Sequence, residues 1–263
     1  MTYHIAVANQ KGGVAKTTTV VSLAGALVKL GNEVLAVDLD AQANLTLALG
    51  VDPAQAHSAI DDVLQNAASL VSVSRETYIP GLDLVPANAK MDLAERFLPV
   101  RPNYDTILRE ALNSGGLVPK AYDYVLMDCP PSMGAVTLNA LIAADLLIIP
   151  TQSEYFSAHA LRAMMSAVKR VRAKHNPRLI YRILITMHDR RNRIHRNLSE
   201  QIRATFGDGV FQTMIETDTK LRESSVAGLP ITHYYAQSRG ALQYDALAQE
   251  LIEHVQEKNP SPA

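Results

Sequence analysis

Residues 9–19 of this 263-residue chain read NQKGGVAKTTT, and no other stretch limits its possible folds so tightly. An apolar run, IAVA at residues 5–8, precedes it, and a helical pattern runs from Thr17 to about Leu30. A strand, a glycine-containing loop and a helix start bring backbone N–H groups and the positive end of a helix dipole around one point, a cradle for an anion. From there Lys16 can reach the outer phosphates of a nucleotide, and the Thr17 hydroxyl can ligate Mg²⁺. The stretch departs from the general pattern G-x-x-x-x-G-K-[ST]. Ala15 stands before the lysine, and Gly12 and Gly13 sit closer to it. A methyl at position 15 crowds the phosphates, or strains the turn if positive φ is required there. A chance glycine turn ahead of a helix is the plain alternative, and two lysines, Lys11 and Lys16, behind a strand count against it.

The rest of the chain alternates strand and helix, which argues for a doubly wound α/β fold: a mostly parallel sheet covered by helices on both faces. Apolar runs place strands at 3–8, 33–38, 82–86, 122–128, 145–150, 179–186 and 210–215. Helical periodicity falls at 16–30, 58–67, 88–98, 103–113, 134–143, 157–175 and 239–257, and the Arg-rich stretch 190–196 leads into a helix to about 205. Gly31 closes the first helix and Gly115-Gly116 the one at 103–113. Residues 1–258 read as one domain and 259–263 as a frayed tail. Hydrophobic residues make up 48 % of the chain and charged ones 19 %, a globular composition. One cysteine, Cys129, rules out an intrachain disulfide. With no signal peptide and no run long enough to span a bilayer, the expected compartment is the cytoplasm.

Ligands of open α/β sheets bind beyond the C-terminal ends of the strands. Three such ends carry chemistry here: the loop after the first, Asp38 and Asp40 after the second, and Asp128 ending the fourth. A cation-bound triphosphate needs a hydroxyl ligand and nearby carboxylates, roles that suit Thr17 and Asp128, the latter through a coordinated water. Taken singly, each Asp is equally a turn cap. Their convergence beside a lysine-threonine loop favours the chemical role. The eight His show no metal-ligand spacing.

The stretch K-G-G-V-A-K-T-T resembles the deviant Walker A loop, usually K-G-G-V-G-K-T-T, of the ParA/Soj-type partition ATPases, relatives of the cell-division regulator MinD. The resemblance runs from the first strand to the final helix. It implies a P-loop NTPase of the deviant Walker A type that binds ATP and Mg²⁺ through Lys11, Gly12, Gly13, Val14, Ala15, Lys16, Thr17 and Thr18. It assigns Asp40 to switch I and the attacking water, and residues 128–132 to Walker B and switch II. It makes Lys11 a residue that crosses a homodimer interface to the partner's nucleotide, although by the chain alone Lys11 is equally a surface loop lysine. Adenine is expected near Thr186, Met187 and Asp218, positions also compatible with ordinary strand ends and turns. Ala41, Ala43 and the Glu216-Thr217-Asp218 turn stand where relatives usually have Pro, Gly and Pro-Arg-Asn.

Net charge is −1, yet residues 169–203 hold eleven Lys/Arg against two acids, Asp189 and Glu200, leaving the remainder at −10. Such asymmetry suggests a polyanion partner, although a solvated helix face is the plainer reading of any charge run. The resemblance implies nonspecific DNA binding, by Arg191 above all, with Arg190, Arg193, Lys220 and Arg222 beside it. It further implies a nucleoid-associated protein and a ParB-like or cargo adaptor that stimulates slow ATP hydrolysis, in chromosome or plasmid partition or in cargo positioning. Two alternatives are a MinD-like membrane-cycling regulator, disfavoured by the acidic end of the last helix, and a nucleotide-binding scaffold with negligible hydrolysis. The single cysteine argues against a bridging [4Fe–4S] reductase, since one Cys per chain gives a dimer only two of the four thiolates needed.

Overall fold

The computed structural model describes residues 2–65, 68–113, 121–154 and 157–258. The expected Gly115-Gly116 helix stop and the frayed tail at 259–263 lie outside these residues. The strands are β1 Tyr3–Val7, β2 Val34–Asp38, β3 Arg75–Glu76, β4 Leu82–Val85, β5 Tyr124–Asp128, β6 Leu146–Gln152 and β7 Ile180–Thr186. The helices are α1 Lys16–Lys29, α2 Asn44–Ala48, α3 Ile60–Leu64, α4 Leu70–Val73, α5 Met91–Phe97, α6 Ile107–Asn113, α7 Ala135–Ala143, α8 Ser157–Lys174, α9 Arg193–Phe206, α10 Thr219–Val226, α11 Ile231–Tyr234 and α12 Arg239–Lys258.

Among the described residues the strands form one sheet in the order β3-β4-β2-β5-β1-β6-β7, parallel except at β3. Alternation along each strand splits the core in two. Ile5, Val7, Val34 and Ala36 face a layer that includes α1 and α12, whereas Ala6, Leu35 and Val37 face the layer built on α5, α7 and α8. Helices therefore cover both faces, as the alternation predicts. The register sets Val7 and Asp38 beside Asp128, so the ends of β1, β2 and β5 fall level.

The helices α2, α4, α10 and α11 lie outside the helical periodicity read from the sequence, and among the strands two elements depart from expectation. The edge strand β3 is two polar residues long and antiparallel, so it leaves no apolar run to read. Residues 210–215 form no strand. Phe211 and Ile215 donate backbone hydrogen bonds to Ile183 and Ile185 at 2.9 Å. Between them, the N–H groups of Gln212 and Thr213 donate instead to the Glu250 carboxylate, at 2.7 and 2.9 Å. A side chain on α12 takes the donors that a ladder needs.

α1 is buried along most of its length. A Cβ on Gly25 would stand 2.4 Å from the Pro230 side chain, so glycine there admits the segment leading into α11. The Thr19 hydroxyl donates to the Ala15 carbonyl at 2.7 Å and lies 3.2 Å from the buried Tyr244 hydroxyl, tying the loop to α12.

Candidate nucleotide site

The loop after β1 enters α1 through Ala15, whose backbone is left-handed (φ 67°, ψ 36°). No side chain caps α1, and its first turn holds no acid. A helix N-terminus ordinarily recruits such groups, so these N–H groups and the positive dipole end remain available to an anion. Above them opens a cleft of about 680 Å³, within the range of small-molecule sites. Gly12, Gly13, Ala15, Lys16, Thr17 and Thr18 line one side, and Asp40, Gln42 and Pro131 stand beside them. Met187 and residues 215–218 line the cleft as well.

The acids behind the loop separate into different jobs. Asp38 is fully buried; its Oδ2 accepts from the Thr46 amide at 2.9 Å and the Thr46 hydroxyl at 2.7 Å, and its Oδ1 from the Asp40 amide. Burial pushes its carboxyl up to about 6, against the pull of those hydrogen bonds. It is a strut between β2 and α2. Asp40 lines the cleft, with Oδ1 accepting the Gln42 amide at 3.0 Å.

Asp128 is buried, and its Oδ2 accepts the Thr17 hydroxyl at 2.6 Å. Its Oδ1 is also buried and has no hydrogen-bond partner. Burial, then the charge of Asp38, holds this carboxyl well above the usual carboxylate range, opposed by the Thr17 hydroxyl and by Lys16. A buried carboxylate oxygen lacking a donor, behind a threonine hydroxyl and beside a lysine, fits a divalent cation that would restore its charge. Among the described residues no cluster of three His, Cys, Asp or Glu exists to hold a metal without further ligands. Cys129 is buried and its thiol is pushed up by burial, so it acts as an apolar filler.

Lys11 does not line the cleft. Its ammonium donates to Gln152 Oε1 at 3.1 Å and pairs with Glu154, and the Gln152 amide donates to the Gly13 carbonyl at 3.1 Å. The end of β6 thus holds the loop's first lysine within the same chain. Val14 is buried behind the loop, and the Thr186 hydroxyl donates to its carbonyl at 3.0 Å, which makes Thr186 a support of the loop. Met187, also at positive φ (52°), and Asp218 do line the cleft. Asp218 also accepts the Lys220 and Gly240 amides, both at 2.9 Å, pinning α10 against α12.

The basic residues are dispersed. Arg191 is 92 % exposed in its side chain and paired with its neighbour Asp189. Arg193 opens α9 and is exposed. Arg190 instead reaches the buried Glu216 at 2.7 Å, which Arg239 also contacts at 3.1 Å. Lys220 pairs with Glu223 at 2.6 Å and stands 5.8 Å over the Tyr235 ring, and Arg222 lines the nucleotide cleft. Pro131, in the segment assigned to switch II, and Ile215, in the 214–218 turn expected near the adenine, also line the cleft, as does Tyr244, which the sequence offered nothing to single out.

A parallel sheet with a glycine loop at β1, an uncapped helix behind it and an acid at the end of β5 defines a P-loop nucleotide-binding protein. A family description, AAA domain, matches residues 2–181. The chain is 37 % identical over 263 residues to the chromosome partitioning protein ParA of Caulobacter vibrioides, covering 98 % of this chain and 97 % of that one. To the chromosome-partitioning ATPase Soj of Thermus thermophilus it is 41 % identical over 254 residues, covering 96 % of each. The structure of cobyrinic acid a,c-diamide synthase from Mycobacterium smegmatis with bound ATP analog and magnesium is similar at TM-score 0.87 and 32 % identity, over 98 % of this chain and 97 % of that one. The chain belongs to the ParA/Soj family of P-loop ATPases.

Proposed function

We propose that this chain is a ParA-like ATPase whose residues 1–258 work as one domain that binds ATP with Mg²⁺, dimerises in the ATP state and binds nonspecific DNA. Hydrolysis, stimulated by a ParB-like or cargo adaptor protein, resets it. The observation that carries this reading is the Thr17–Asp128 contact at 2.6 Å with the second Asp128 oxygen buried and unpartnered, directly behind the lysine loop. Thr17 and, through water, Asp128 would hold Mg²⁺, which would neutralise phosphate charge. Lys16 and the backbone N–H groups of the loop hold the phosphates, and Asp40 positions the attacking water. Met187 and Asp218 lie toward the base.

Lys11 is the dimer element. In the single chain its ammonium is occupied by Gln152 and Glu154. In the dimer it turns to the partner's nucleotide and supplies charge there in trans. DNA is held through phosphates, by the exposed Arg191 and Arg193, with Arg190, Lys220 and Arg222 as further candidates, so binding weakens steeply with salt. The cell location that follows is the nucleoid.

Sedimentation velocity with ATPγS, with ADP and with no nucleotide tests the switch, alongside phosphate release with and without sheared DNA. A dimer only with ATPγS, absent in Lys11→Ala, together with DNA-dependent turnover, is the expected result. A monomer in every state, or turnover that requires cobyrinic acid, would overturn it.

A further inference from the structure

The segment 129–134 joins the end of β5 to α7 and carries Pro131 on the wall of the nucleotide cleft. Its first end is fixed in the sheet: Cys129 donates to the Val7 carbonyl at 3.1 Å, and the Asp128 carbonyl accepts the Leu39 amide at 2.9 Å. Its far end is fixed by a residue forty positions upstream. The Glu95 carboxylate, on α5, accepts the Ala135 amide on Oε1 at 2.8 Å and the Val136 amide on Oε2 at 2.9 Å. α7 has no side-chain cap of its own, because Gly134 occupies the N-cap position. Both oxygens of one carboxylate therefore satisfy two open N–H groups at the positive end of a helix, a charge-assisted arrangement.

Gly134 shows that this contact shapes the local sequence. Its backbone (φ −85°, ψ −162°) is open to any residue, so conformation does not require glycine. Space does while the contact is made: a Cβ there would lie 1.4 Å from Glu95 Oε1 and 2.6 Å from its carboxyl carbon, so the carboxylate would have to swing away. Glu95 itself is well seated, since Met91, Ala94 and Leu98 on either side of it are buried in the core layer that also holds Ala135 and Val136. α7 has independent anchors: Asn139 accepts the Leu108 amide at 3.2 Å and donates to the Tyr104 carbonyl at 2.8 Å. Loss of the Glu95 contact thus frees the first turn of α7 and the segment before it while the helix stays docked.

We propose that Glu95 is a positioning residue for ATP hydrolysis: by clamping the start of α7, it fixes the path of residues 129–134 across the nucleotide cleft. The proposal rests on the ATPase reading above. Glu95 touches neither the cleft nor Asp128, so it acts through the segment's geometry and leaves the phosphate grip of Lys16 and α1 untouched. Small misplacements of a reacting site carry large rate costs.

Two substitutions break the clamp from opposite sides. Glu95→Gln keeps the shape but turns an N–H₂ toward one of the two amides; Gly134→Ala keeps the charge and removes the room. Each is expected to lower kcat about tenfold with KM within about twofold, and the double variant to be no slower than the slower single. Amide hydrogen exchange of the nucleotide-free proteins gives a readout without catalysis: Ala135 and Val136 lose protection in both variants, while the Ala144 amide, bonded to the Ala140 carbonyl at 3.0 Å at the far end of α7, keeps it. Unchanged exchange at Ala135 and Val136 would overturn the clamp. Faster exchange with wild-type kcat would overturn the positioning role and leave Glu95 a plain cap. Additive losses in the double variant would also refute it. Wild-type protein that hydrolyses no ATP under any condition would sink the ATPase reading itself, and this proposal with it.

Discussion

Replacing Ala15 with glycine should stabilise the nucleotide-free protein. The residue sits at φ 67°, ψ 36°, the left-handed region. An L-residue there costs roughly 1–2 kcal/mol from Cβ against the following carbonyl oxygen. Glycine removes that cost but returns about 0.4–1 kcal/mol through the extra freedom of the unfolded chain. The expected net gain is about 0.5–1 kcal/mol, or a rise in Tm of roughly 1–4 °C for a chain of this size. Two neighbouring glycines supply the controls. Gly13 is at φ +72° and Gly12 is not in that region, and a Cβ at either would meet no atom within 4 Å. Gly13→Ala therefore isolates the conformational term and should cost about as much as Ala15→Gly gains, whereas Gly12→Ala should be neutral or slightly stabilising. Urea unfolding followed by circular dichroism measures all three. Ala15→Gly no more stable than the parent, or Gly13→Ala as stable as Gly12→Ala, would refute the strain argument. Because Ala15 also lines the cleft, Ala15→Gly should tighten ATPγS binding as well.

Other residues give sharper separations. Glu154→Gln releases the Lys11 ammonium from its in-chain partner and should strengthen ATPγS-dependent dimerisation in sedimentation, while a weaker dimer would show that Glu154 is needed at the interface itself. Arg191→Ala should weaken DNA binding and lower the slope of log affinity against log salt by about 1; an unchanged slope removes it from the interface. Arg190→Ala should act chiefly on folding, because it strips one cation from the buried Glu216, and a normal urea midpoint would contradict that. Asp38, raised to about 6, keeps its proton to higher pH folded than unfolded. Its contribution to stability therefore falls as pH rises from the unfolded carboxyl value of about 4 toward about 6. Asp38→Asn should flatten the urea-midpoint profile over that window, and identical profiles would count against the burial argument.

What the chain disclosed in advance follows from where its information is local. Buried parallel strands carry unbroken apolar runs, so β1, β2, β5, β6 and β7 could be read directly, and the glycine loop lies within a few residues of the helix it serves. Asp38 and Asp40 look alike in sequence. Only the fold turns one inward to Thr46 and leaves the other on the cleft. Arg190 reads as a free cation because Glu216 lies too far along the chain to be seen as its partner, whereas the partner of Lys220, Glu223, is three residues on and was legible locally. Glu95 had no local signal at all: its two acceptors serve amides forty residues away, and the matching glycine is explained only by the approach of its carboxylate.

The residues at positive φ are concentrated around the nucleotide cleft. Among the described residues, non-glycine positive φ occurs at Ala15, Ala43, Asn103 and Met187. Three of these four ring the nucleotide cleft: Ala15 and Met187 line it, and Ala43 opens α2, which contributes Asn44 and Leu47 to its wall. Ala15 and Ala43 both occupy the N-cap position of a helix with no side chain to cap it. Ala15 accepts the Thr19 amide at 2.9 Å and the Thr19 hydroxyl at 2.7 Å, and Ala43 donates to the Asp40 carbonyl at 2.9 Å. Strain of this kind persists only where the surrounding structure imposes it. Nucleotide phosphates would supply acceptors to the open N–H groups of α1, and a shift of the Asp40 segment would bear on Ala43 directly. The two alanines thus place conformational cost at the two turns that flank the cleft, the phosphate loop at Lys16 and the turn from Asp40 into α2.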